Sequence, residues 1–333
     1  MSPAPSTANV TIRDVARAAG VSSGTISRAL KNEPGLTEAT RQMVVDTANA
    51  LGYDLRKLRA KRLRRLTFLL HRQHSTASSS AFYTAVLHGA EAACRQLGIV
   101  LSFLAVGPAD ALAEQLRIHA PDGILCAGFF EPELLAALRA SGKPLVLVDM
   151  KLRGYSCVNP DNFAGGRAAA AHLIALGRSR IACIAGPLGH YSVRERVRGY
   201  RQALFDAGVL ADPRLEVQLP DGVDLELGAQ EAMAALLALP RPPDAVFCYN
   251  DSAALVAMRC CLAAGLKVPH DVSIVGFDDI AGAAHGPRPL TTLRIDKPGL
   301  GALGVELLIS ARDGQTEERT SPVELIVRAS TVM

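Results

Sequence analysis

The sequence predicts an all-α N-terminal head of about fifty residues, followed by an α/β core of two doubly wound parallel-sheet subdomains. Three observations carry this. Capped helical stretches fill residues 10–53. From residue 66 onward, short apolar runs alternate with helical patterns. The runs are apolar at almost every position, as strands covered on both faces must be.

The head comes first. Thr11 is placed to cap a helix from Ile12 to Ala18, with Val15 and Ala18 expected on its buried face. Gly20 supplies the conformation a sharp turn needs. Ser22 is placed to cap a second helix, Ser23 to Leu30. Thr37 is placed to cap a third, Glu38 to Leu51, whose Val44, Val45, Ala48 and Leu51 are spaced as an apolar stripe. Helix, tight turn and helix form a helix-turn-helix. In that motif Ala16, Val21 and Ile26 pack inward. Ser23, Gly24, Thr25, Ser27 and Arg28 face outward, where the N-terminal end of the second helix enters a DNA major groove. Thr11, Ser22 and Arg28 are suited to phosphates.

Charge agrees with this. Residues 1–66 hold 12 Lys and Arg against 5 Asp and Glu, and the remainder holds 24 against 27. A basic head on a mildly acidic body points to a polyanionic partner for the head. Residues 1–9 carry no basic-then-apolar leader pattern and read as a disordered tail. No run approaches the ~18 apolar residues of a membrane span. The 7 cysteines, from Cys94 to Cys261, contain no C-x-x-C and suggest buried free thiols rather than a disulfide framework or a metal site. No phosphate-cradling loop, nucleophile elbow or zinc-protease motif occurs, so neither catalysis nor a cofactor is expected.

In the core, strands are expected at 66–70, 99–104, 123–126, 145–148, 181–184, 245–248, 272–276 and near 323–327. Helices are expected near 83–97, 109–119, 131–141, 162–176, 192–207, 225–239, 251–264 and 297–312. These are too many units for one sheet. Ligands of such sheets sit beyond the carboxyl ends of the strands, so two facing sheets make a cleft.

The wording of residues 11–30, TIRDVARAAGVSSGTISRAL, followed by Thr37-x-x-Thr40-Arg41 and Leu51-Gly52-Tyr53, resembles the headpiece of the LacI/GalR family of transcription regulators. Looser islands extend the resemblance to about residue 330: NFAGG at 162–166, GPL at 186–188, YND at 249–251, VPHDVSIVGFD at 268–278 and LTTLR at 290–294. The resemblance implies a periplasmic-binding-protein-like core that crosses between its subdomains three times. It implies a tail at 1–9, a DNA-binding head at 10–53, a hinge at 54–65 and an effector-binding, dimerising core at 66–333. Within the core, one subdomain comprises 66–160 and 291–320, and the other 161–290 and 321–333.

It also implies operator binding as a homodimer under the control of a small molecule. A sugar is favoured, with a purine as the alternative and a transport solute-binding protein as a remote one. The hinge departs from the family. Pro and Asn are replaced by Leu55 and Arg56, and Ala60-Lys61-Arg62-Leu63 matches the usual Ala-Arg-x-Leu one residue late. Arg56, Arg59 and Lys61 are therefore expected on phosphates and Leu63 as a minor-groove wedge. Side chains suited to a sugar fall at the expected strand ends: His71, Arg72, Phe82, Tyr83, Phe129, Asp161, Arg194, Arg196, Asn250 and Asp278. Family resemblance singles out Arg194 or Arg196, with Asn250 and Asp278. Arg72 leaves a phosphorylated or acidic sugar open.

Overall fold

The computed structural model describes residues 10–31, 34–53, 63–74, 77–107, 110–210, 212–286, 288–310 and 315–332. Its head holds helices α1 (Ile12–Ala19), α2 (Ser23–Leu30) and α3 (Glu38–Ala50). Each start is fixed by a hydroxyl. Thr11 and Asp14 form a capping box on α1, the Ser22 hydroxyl accepts the Thr25 amide at 3.0 Å, and the Thr37 hydroxyl accepts that of Thr40 at 3.2 Å. Gly20 ends α1 with a φ of 68°.

Val15, Ala16, Ile26, Ala29, Val44 and Ala48 form the head's core. Ala18 is exposed instead of buried. The inward stripe of α1 is Ile12, Val15, Ala16 and Ala19, the i, i+3, i+4, i+7 pattern, and Ala18 lies off it. Leu51, at the cap of α3, is also exposed.

Two parallel sheets build the core. The first has β1 (Arg65–His71), β2 (Val100–Val106), β3 (Gly123–Ala127), β4 (Leu145–Val148), β5 (Ser156–Pro160) and β11 (Glu318–Ser321), in the order β11-β5-β4-β3-β1-β2. The second has β6 (Ile181–Ala185), β7 (Glu216–Gln218), β8 (Ala245–Cys248) and β9 (Ser273–Val275), in the order β7-β6-β8-β9. A separate antiparallel pair joins β10 (Thr292–Ile295) to β12 (Val323–Ile326).

The apolar runs of the sequence become strands of the two sheets, except the one near 323–327, which becomes β12 of the antiparallel pair, and the helical patterns become the helices between them. Strands β5, β7, β10 and β11 escape a reading by apolar runs because they are short or carry polar residues. In β5, Asn159 is buried and donates to the Met150 carbonyl at 3.2 Å. Its Ser156 hydroxyl accepts the Glu317 amide at 3.1 Å. Polar groups bonded in this way, although Asn159 Oδ1 lacks a partner among the described residues, break an apolar run without breaking a strand.

Each half is bolted by a glycine pair. Helices Asn162–Ala175 and Tyr191–Asp206 cross at Gly166 and Gly199. A Cβ there would lie 2.0 Å from the Arg196 carbonyl oxygen and 2.1 Å from that of Phe163. Helices Ala77–Gln96 and Lys297–Ser310 cross in the same way at Gly89 and Gly301, where a Cβ would approach the carbonyl oxygens of Pro298 and Val86 to 1.9 and 2.0 Å.

Leu63, the expected wedge, sits in the core. It is 9 % exposed and packs in the main core with Leu66 and Leu308, beside Gly123. A leucine held there cannot also wedge a base step without first leaving the core. Arg56, Arg59 and Lys61 lie outside the described residues. Leu63→Ala should therefore lower the core's unfolding free energy by about 2 kcal/mol, the low end for a buried leucine at the margin of its cluster. Urea denaturation reads this directly, and an unchanged midpoint would disprove the placement. Among the described residues no helix is long and apolar enough to cross a membrane.

Candidate functional site

A cleft of about 490 Å³ opens beyond the carboxyl ends of β1, β4, β6, β8 and β9. The volume suits a small ligand. Both halves line it: His74, Phe82, Tyr83 and Asp149 from one, His190, Ser192, Arg196, Asn250 and Asp278 from the other.

Arg196 is its centre. Only 4 % exposed, it donates from Nε to Asn162 Oδ1 at 2.8 Å and from Nη1 to the Tyr249 carbonyl at 2.7 Å. Its Nη2 lies 3.2 Å from Asp278 Oδ1, and the guanidinium stacks 3.8 Å over the Phe277 ring. Asp278 follows β9 with a φ of 108°, and its neighbour Asp279 has a φ of 49°. Such backbone is unusual for non-glycine residues and tends to mark functional sites. Asp149, after β4, has a φ of 60° and accepts the Tyr83 hydroxyl at 2.9 Å.

Burial raises the Asp278 carboxyl above the usual range, with Arg196 opposing. Burial likewise pushes Asp149 up to about 6, again against Arg196. His74 is pressed down to about 3 by burial and by its His190 and His71 neighbours, so it is neutral, with Nε2 accepting the Phe129 amide at 2.9 Å.

Behind the cleft, Asp251 is fully buried. It accepts the Thr292 hydroxyl at 2.5 Å and the Ile280 amide at 2.8 Å. Burial first, and the Asp278 charge second, push it up to about 8. The folded state therefore holds a proton that the unfolded chain, with an ordinary carboxylate near 3.9, releases. The contribution of Asp251 to stability grows as pH falls through about 8. His71, His74, His172 and His190, each lowered by burial, oppose it as pH falls toward their unfolded value near 6.5, because the unfolded imidazoles take up protons the folded ones refuse. Between about pH 8 and 6.5 the thermal midpoint of the wild type should therefore climb relative to that of Asp251→Asn. Equal slopes would exclude the assignment.

The sequence candidates divide. Phe82, Tyr83, Arg196, Asn250 and Asp278 line the cleft. Asn250 also caps helix Asp251–Ala263, accepting the Ala253 amide at 2.8 Å. Phe129 stacks 4.9 Å from the His190 ring at an interplanar angle of 3°. His71 sits one layer back, its Nε2 3.2 Å from Glu131 Oε2. Arg72 pairs on the surface with Asp110 at 2.5 Å. Asp161 caps helix Asn162–Ala175 through the Ala164 amide at 2.9 Å. Arg194 points outward and donates to the Leu188 carbonyl at 3.3 Å.

Asp149, His74 and His190 are cleft residues that the sequence reading missed. Asp149 was findable, because it directly follows an apolar strand, as Asn250 nearly does. The two histidines carry no such signal, since a turn of 3₁₀ helix and a loop place them.

In the head, Ser23, Gly24 and Arg28 are exposed on α2, with Thr25 and Ser27 partly so. A Cβ on Gly24 would meet only the Ser22 hydroxyl, at 3.6 Å. Gly24→Ala should therefore raise the head's stability by about 0.5–1 kcal/mol, measured on the isolated melting transition of the head in calorimetry. A loss would show that the position is constrained by packing.

A head of three helices joined to two parallel sheets around a ligand-sized cleft defines a small-molecule-controlled DNA-binding protein. Residues 11–54 match bacterial regulatory proteins of the lacI family, and residues 170–331 match the periplasmic binding protein-like domain. The ribose operon repressor of Escherichia coli (strain K12) is 33% identical over 316 residues, covering 90% of this chain and 92% of that protein. The HTH-type transcriptional repressor PurR of Photobacterium profundum is 30% identical over 336 residues, covering 96% and 98%. Among solved structures, a transcriptional regulator CelR–cellobiose complex has a TM-score of 0.74 at 30% identity, covering 96% of this chain and 99% of that one. The lac repressor dimer bound to operator and the anti-inducer ONPF has a TM-score of 0.70 at 25% identity, covering 98% and 100%. The chain belongs to the LacI family of bacterial regulatory proteins.

Proposed function

We propose that the chain represses transcription as a dimer, with each α2 reading half of a near-palindromic operator and a polyhydroxylated ligand in the cleft setting operator affinity. Residues 10–53 serve as the reading head, 54–65 as the hinge and 66–333 as the sensing and dimerising core. Arg196 held against Asp278 beside Asn250 and Asp149 carries the reading. Carboxylates accept sugar hydroxyls, the asparagine both donates and accepts, and Phe82 offers an apolar wall.

Ser23, Thr25 and Arg28 supply the base and phosphate contacts, because Gly24 has no side chain to read with. Ligand shifts the protein only by its differential affinity for two arrangements of the halves, typically ~1–3 kcal/mol. The protein works in the cytoplasm, where its DNA lies. The PurR relative supports a purine as the second reading.

A thermal-shift screen of sugars and purines tests this. A ligand at ~100 times its dissociation constant adds about 2.7 kcal/mol. A hit that is lost in Asp278→Ala and that changes operator affinity is the expected result. Purine hits alone would replace the sugar, and an operator titration indifferent to every hit would overturn effector control.

A further inference from the structure

We infer that the cleft shuts out anions, so that its ligand is a donor-rich molecule carrying no phosphate or carboxylate. This rests on the effector reading above and names the class of effector it admits. Four carboxylates line the cleft, Asp149, Asp221, Asp224 and Asp278, against the guanidinium of Arg196. Both lining histidines are held neutral by burial, His190 like His74. Negative charge therefore stands in excess.

Each guanidinium nitrogen already has a partner, which leaves two of its five N–H groups. Its Nε, Nη1 and Nη2 already face Asn162, the Tyr249 carbonyl and Asp278. The other nearby cations spend their hydrogen bonds elsewhere, although Lys297 still adds its charge beside Asp278. Arg72 is paired with Asp110, Arg194 turns to the Leu188 carbonyl, and Lys297 donates to the backbone carbonyls of Asp278 and Asp279. Arg72 thus gives no support to the phosphorylated or acidic sugar that the sequence left open.

A second observation shows what the cleft seeks. Asp149 Oδ1 and Asp278 Oδ1 are sealed from solvent, and neither accepts a well-formed hydrogen bond within the described protein, the Asp278 oxygen having only its ion-pair contact with Arg196. Asp278 is itself only 8 % exposed. These oxygens hold negative charge at the cleft wall that hydrogen bonds do little to offset, which favours a hydroxyl or ammonium group in the cleft and repels a phosphate oxygen.

The test uses the full-length protein and matched probes: glucose, glucosamine, gluconate and glucose 6-phosphate, with ribose and ribose 5-phosphate. A free or amino sugar should raise the melting midpoint, and its acid or phosphate should bind at least about tenfold more weakly. An anionic probe that binds as well as its neutral parent overturns the inference. If no sugar of any charge binds, the sugar reading above falls, and inorganic phosphate still decides the charge question. At constant ionic strength, phosphate replacing chloride should give the wild-type core only the gradual, non-saturating rise of an excluded salt. A saturable stabilisation by phosphate that Asp278→Asn strengthens would place an anion site in the cleft and sink the inference.

Discussion

Replacing Arg196 by alanine should lower the unfolding free energy of the core by about 3–5 kcal/mol, the cost of stranding one partner of a buried ion pair. The loss is large because several partners are orphaned together. Asn162 Oδ1 and the Tyr249 carbonyl lose their donor, Asp278 keeps a buried charge with its counter-ion gone, and the Phe277 ring faces a void. For a core of this size the thermal midpoint should fall by roughly 6 °C or more. Ligand binding should disappear in the same variant. Arg196→Met, which refills the volume without the charge, separates the effects: part of the stability should return, and binding should not. A melting curve for Arg196→Ala that overlays the wild type would show that the guanidinium is not the keystone of the cleft.

The second large effect concerns Gly199. Valine there should destabilise the core by about 3 kcal/mol, the upper part of the range for overpacking. The obstruction is backbone, since the nearest atoms to a Cβ are the Phe163 carbonyl oxygen at 2.1 Å and the Arg167 nitrogen at 2.7 Å. No rotamer change relieves such a contact. The helices must move apart, and Arg196 rides on the one that moves, one turn from Gly199. Urea unfolding should therefore report a loss of stability, and calorimetric titration with a ligand found by the screen should report weaker binding. Gly199→Ala should follow the same direction with a smaller loss. A Val variant as stable as the wild type would mean that the helices have room to separate.

Much of this fold is legible in the sequence because its signals are local. Capping hydroxyls at Thr11, Ser22 and Thr37 announce the head's helices, and apolar runs announce the central strands. The cleft is less legible. Asn250 and Asp278 sit two and three residues beyond strands and can be read from position. Asp149 sits in the same way but at the end of a run that reads only as a strand. Arg194 and Arg196 are two residues apart, about 200° around a helix, so the sequence offers both and only packing selects the inward one. Asp161 looks like a cleft carboxylate but spends its oxygen on a helix cap. Leu63 looks like a wedge because Ala60-Lys61-Arg62-Leu63 follows the family's Ala-Arg-x-Leu, yet a place in the core beside Gly123 takes it. In each case a long-range neighbour decides, and short-range spacing does not encode it.

Asp279 ties the cleft mechanically to the rest of the core. Its carboxylate is held at 2.7 Å by Arg294 on β10 and at 2.7 Å by Arg328 just beyond β12, and its carbonyl accepts Lys297 at 3.2 Å. These partners lie on the segments by which the chain returns from one half to the other. The peptide that carries the cleft's Asp278 is thus riveted to the connecting straps themselves. A tug on Asp278 loads those straps within one residue, with no slack to take up first. Relative motion of the halves is then geared to the position of a single backbone bend.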